Sequence, residues 1–99
     1  MAAAKNYPVS TAQVRPFRIY DEGTEKILKG KCFGYVLNAH NAAQVYAKWW
    51  LNVGESVTVL DTKGNDLGQY TRRLNAVQTS PNTPQTLAEV ERQQKRGEK

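Results

Sequence analysis

One cysteine, one histidine and one methionine occur in 99 residues, and the first two scarcities exclude whole classes of chemistry. Cys32 has no second thiol with which to close an internal disulfide. With His40 as the single imidazole, the soft ligands of a zinc site cannot be assembled. Asp21, Glu22, Glu25, Asp61 and Asp66 follow no calcium-loop spacing, so no metal or other cofactor is expected. Long apolar runs are missing as well: none approaches the ~20 residues that a membrane span requires. The start, Met1-Ala2-Ala3-Ala4-Lys5, lacks the longer apolar stretch of a secretory signal, which makes a cytoplasmic protein without membrane association the expectation.

Catalytic groups are equally sparse. Cys32 and His40 are the sole thiol–imidazole combination, and a thiol facing the interior of a sheet is inert. Gly64-Asn65-Asp66-Leu67-Gly68 precedes a strand, whereas a phosphate cradle leads into a helix. No nucleophile, base and orienting group come together, so the chain is not expected to be an enzyme.

What is present is a mildly basic chain with the pattern of one small domain. Fourteen Lys and Arg against nine Asp and Glu give a net charge of +5, which suits nucleic acid or an acidic protein surface. Residues 1–14 show no sustained period and read as a flexible arm. Residues 15–77 read as a single α+β domain, and residues 78–99 as a polar linker and a tail that is either disordered or a short helix. Thr83 with Pro84, or a Thr86/Glu89 capping box, would start that helix.

Within the domain, Pro16-Phe17-Arg18-Ile19-Tyr20 alternates and predicts a strand, turned by Asp21-Glu22-Gly23-Thr24. The return strand is expected from about Lys26 to Leu37, bulged or bent at Gly30. A helix follows, capped by Asn38 or Asn41, with a stripe of Ala42, Tyr46, Trp49 and Val53 widened by Trp50, and ended by Asn52-Val53-Gly54. Ser56-Val57-Thr58-Val59-Leu60 and Leu67 to Arg73 form a second hairpin around Thr62-Lys63-Gly64-Asn65. The fold expected is an antiparallel sheet of about four strands in ββαββ order, with one amphipathic helix packed on one face.

Alternation along Lys31 to Leu37 puts Phe33, Tyr35 and Leu37 on one face and Cys32, Gly34 and Val36 on the other. Two arrangements follow. In one, the tryptophan helix rests on the small face, and Phe33 and Tyr35 lie open beside Arg18, Tyr20, Tyr70 and Arg72. In the other, the aromatic rings are core.

Lys31-Cys32-Phe33-Gly34-Tyr35-Val36-Leu37-Asn38 resembles the octapeptide of RNA-recognition motifs at six of eight positions. Cys32 and Asn38 depart from it, and the 30 preceding residues leave no place for that fold's first strand and helix, so the family is not assigned. Candidate binding residues are Arg18, Tyr20, Lys31, Phe33, Tyr35, Tyr70, Arg72 and Arg73. The function expected is a non-catalytic interaction module for a protein partner that the sequence does not identify, with a homodimer as a further option. By analogy of size and composition, this is the profile of an accessory or inhibitor protein of a phage or mobile element. The alternative is RNA or single-stranded nucleic-acid binding through an aromatic and basic sheet face.

Overall fold

The structure, a computed structural model, describes residues 6–97. Pro16 leads into β1 (Phe17–Asp21), and the Asp21 carboxylate accepts hydrogen bonds from the Gly23 and Thr24 amides, turning the chain into β2 (Lys26–Phe33). Arg18 lies opposite Cys32 but Tyr20 lies opposite Ile27. β2 therefore bulges outward around Gly30, whose φ of 76° is the left-handed conformation glycine tolerates. Next come α1 (Val36–Trp49), β3 (Ser56–Leu60), β4 (Asp66–Arg72), β5 (Val77–Thr79) and α2 (Leu87–Gly97). The strands form one antiparallel sheet ordered β2-β1-β3-β4-β5. Neither helix is long and apolar enough to cross a membrane.

The α+β class is as the sequence indicated, with one more strand and an ordered second helix. β5 went unread because three residues are too few to show alternation. Its turn is held by Arg73 N–H donating to the Ala76 carbonyl, and by the Arg72 guanidinium donating to the Arg73 and Ala76 carbonyls.

Packing reverses the expected division of large and small residues. The sheet supplies the bulk, through Phe17, Ile19, Val57, Val59, Leu67 and Tyr70, and α1 supplies Val36, Ala39, Ala43 and Ala47. Alanines at positions i, i+4 and i+8 let the helix lie close to a sheet already filled with large side chains. Each fully buried large apolar side chain contributes roughly 1.5–3 kcal/mol. Only half of the expected stripe faces the sheet: Ala42 and Tyr46 pack partly buried against the core, whereas Trp49, Trp50 and Val53 are exposed. β2 ends at Phe33 rather than Leu37, because the chain is already helical at Val36. The Asn38 and Asn41 caps fall inside the helix for the same reason.

The opposite sheet face carries Cys32, Arg18, Leu60, Tyr20, Thr58 and Gln69, as the strand registers require. Part of the segment read as an arm lies over it. Tyr7 meets Tyr20 edge-on with ring centroids 5.0 Å apart, and its hydroxyl donates to Glu22 Oε2 at 2.7 Å. The Ser10 amide donates to the Thr62 carbonyl at 2.8 Å.

Candidate functional site

The residues proposed from sequence as one binding face are distributed by the sheet over several environments. Arg18 and Tyr20 are buried under the N-terminal segment, where Arg18 Nη2 donates to the Pro8 and Asp61 carbonyls. Burial lowers the Arg18 pKa from its ordinary value. Tyr70 is buried on the other side, in contact with His40. Phe33 lies across from Phe17 and packs, half-buried, against the core. The open arrangement of Phe33 and Tyr35 on one strand face is thus corrected: Phe33 belongs to the core side, and Tyr35 has left the strand to become the N-cap of α1, 67% exposed. Tyr35 borders a separate groove with Leu37, Leu87 and Val90. Arg73 is exposed and its Nε donates to Gln78 Oε1 at 2.7 Å. Cys32 and His40 lie on opposite sides of the sheet, so the thiol and imidazole are not brought together.

His40 anchors the interior of this arrangement. The Gln93 side-chain amide donates to the Leu67 carbonyl at 2.8 Å, which can only accept, so Gln93 Oε1 faces His40 Nε2 at 2.8 Å. Nε2 therefore carries the proton, and Nδ1 accepts from the Tyr70 hydroxyl at 2.9 Å. Burial holds His40 below its ordinary pKa and pushes the Tyr70 phenol up to about 12. Gly68 makes room for this cluster: a Cβ there would stand 3.1 Å from His40 Cε1 and 2.9 Å from Thr83 Oγ1.

A second exposed surface is the outer face of α1. Trp49 and Trp50, at the end of the helix, are 69% and 74% exposed, beside exposed Val45, Val53 and Leu74. Each indole borders a groove. On one side α1 and the β4–β5 turn enclose about 350 Å³ among Gln44, Lys48, Trp49, Arg72, Leu74 and Val77. On the other, Lys31 of β2 joins Asn41, Val45, Tyr46 and Trp50 around about 290 Å³. Lys48 Nζ sits 5.2 Å from the Trp49 ring centroid, within the range of a cation–π contact. The Tyr46 phenol is raised above its ordinary pKa, first by burial and then by the Asp21 and Glu55 charges.

Of the eight sequence candidates, Lys31 and Arg72 line these grooves. Trp49, Trp50, Lys48 and Tyr46 also line them and are not among those candidates, the three rings having been expected on the helix face that packs on the sheet. For Trp49 the signal is the small-residue stripe Ala39, Ala43 and Ala47, since on a helical wheel Trp49 lies nearly opposite Ala47; Trp50 falls on the alanine side of that wheel and is exposed past the end of the helix at Trp49. Among the described residues no group of three or more His, Cys, Asp or Glu is placed to hold a metal ion. No protein-family model, curated protein or solved structure matches this chain.

Proposed function

We infer that this chain is a non-catalytic binding module whose working surface is the outer face of α1, with Trp49 and Trp50 as its anchors. The observation that carries this reading is the exposure of both tryptophans in a fold that fills its core from smaller side chains. An indole in water gives up the largest apolar area any side chain can bury, and exposed Leu74 adds apolar surface in the Trp49 groove as exposed Val45 does in the Trp50 groove. Tryptophan, tyrosine and arginine dominate the energetics of macromolecular interfaces, and Trp49, Trp50, Tyr46 and Arg72 meet here around two grooves.

A crosslinking pull-down from the native cell, run with the wild type, Trp49→Ala and Trp50→Ala, tests the surface. Co-purifying material is expected to fall sharply in both variants, while Tm stays within about 4 °C, the range of an exposed substitution in a domain of this size. Full retention of the same species sinks the assignment. A larger fall in Tm would show instead that the rings hold the fold together.

A further inference from the structure

Resting on the reading of the α1 face as the binding surface, we propose that its partner is single-stranded nucleic acid. Bases stack on Trp49 and Trp50 while Lys31, Lys48 and Arg72 contact phosphates. The charge pattern carries this inference. From Lys26 to Gly54 the chain holds four lysines and no carboxylate, and from Leu67 to Ala88 it holds two arginines and no carboxylate. Those two stretches supply every residue that lines either groove. Two carboxylates reach the border, acting on Tyr46, and backbone amides engage both: Asp21 Oδ1 accepts from Gly23 and Thr24, and Glu55 Oε1 from Asn52.

Inside both grooves a polyanion meets only cations, the two carboxylates lying at the border, whereas a protein face of mixed charge would set its own lysines and arginines against them. A nucleotide strand alternates flat rings with anions, and each groove pairs an indole with a cation in the same way: Trp49 with Lys48 and Arg72, Trp50 with Lys31. Exposed Val45, Val53 and Leu74 suit sugar rings and protein side chains equally, so charge decides between the two. A duplex keeps its bases stacked on one another and would engage the cations but leave the indoles idle.

The full chain is titrated with a short oligothymidylate, read by tryptophan fluorescence and by anisotropy of a labelled strand. Trp49 and Trp50 are the chain's two tryptophans, so quenching reports this surface alone. Quenching is expected, and three phosphate contacts give a slope of log K against log salt of about −2, or about 20-fold weaker binding between 50 and 200 mM. Lys31→Gln should bring the slope to about −1.4. Trp49→Ala and Trp50→Ala should each weaken binding about 5- to 150-fold, with far-UV circular dichroism verifying that both remain folded. Absence of binding at low salt overturns the proposal, as does equal affinity for a duplex of the same length. A poly-glutamate peptide that binds as tightly overturns it in favour of an acidic protein partner. If the tryptophan variants lose their captured material in the native-cell pull-down while the oligonucleotide fails to bind, the α1 surface stands and its nucleic-acid assignment falls.

Discussion

At His40 a single side chain couples three elements, since its ring bonds to Tyr70 of β4 and to Gln93 of α2 from a position on α1. With the helix capped at Asn38 or Asn41, as the sequence suggests, this histidine would stand at the helix start. Two features displaced it: the helix begins at Val36, which puts residue 40 on the same face as Val36 and Ala43, and α2 folds back to meet it. Burial lowers its pKa in the folded state, so the unfolded chain binds the proton more readily. The stability contributed by neutral His40 is complete above the unfolded value of about 6.5 and declines as pH falls from there toward the folded value. Tyr70, the titratable neighbour, has its phenol raised to about 12 and stays protonated throughout that window. Urea midpoints measured at pH 7.5, 6.5 and 5.5 should fall with acidity in the wild type. The decline should be shallower in His40→Asn, which keeps a polar group but no titration at this position. Parallel slopes would show that other groups carry the acid sensitivity. Replacement by alanine takes their His40 partner from the Tyr70 hydroxyl and Gln93 Oε1 in the interior and should cost about 1–3 kcal/mol.

At the level of elements, α1 and α2 complete one another through glutamines. α1 has no side-chain cap of its own at Tyr35, and Gln94 provides one from the far end of the chain: its Oε1 accepts from the Val36 amide at 2.7 Å, and its Nε2 donates to the Gly34 carbonyl at 3.0 Å. Of the two helix starts that the sequence offers, the structure has the Thr86/Glu89 capping box and not Thr83 with Pro84: the reciprocal bonds are present at 3.2 and 3.1 Å, a short-range signal. Its docking was not legible. Leu87 and Val90 are few apolar anchors, and Gln93 and Gln94 look like solvated residues until their partners, 26 to 60 residues away, are placed beside them. The strands β1, β3 and β4 were legible from alternation and turn residues, and β5 was too short. The exposure of Trp49 and Trp50 was not legible for one physical reason, the expectation that the largest rings fill the interior, when the sheet had already filled it. Gln94→Ala should lower stability by about 1 kcal/mol, the ordinary worth of an N-terminal cap. A chain ending at Thr86 should lose far more, since Gln93 and Gln94 leave together. Thermal melts of both variants check this, and a truncated chain as stable as the wild type would mean that α2 rests on the fold without supporting it.

Over the whole molecule, the two faces of the sheet are covered by different parts of the chain, and the outer surface of α1, the proposed contact face, points away from both. On the face opposite the helices, Arg18 is a buried cation bonded to the neutral Pro8 and Asp61 carbonyls, and among the described residues its Nε has no hydrogen-bond partner. Removing residues 1–10 would return part of this guanidinium to water, a gain, because its burial is unfavourable. The same deletion uncovers the Tyr20 ring and takes the Tyr7 hydroxyl from Glu22, a bond to a charged group worth about 1.5–3 kcal/mol. Arg18 keeps the Asp61 carbonyl after deletion, so the relief is partial and the losses exceed it. Tm should therefore fall by roughly 10 °C, the shift that about 2 kcal/mol produces in a domain of this size. Tryptophan emission should not move, because no residue of the N-terminal segment lines the grooves beside Trp49 and Trp50. An unchanged Tm would show that the segment lies on the sheet without holding it, and a shifted emission maximum would show that the two sides of the molecule are coupled. The opposite pattern, unchanged Tm with lost binding, is expected of Trp49→Ala and Trp50→Ala, so the two sets of variants together separate what folds this chain from what it presents.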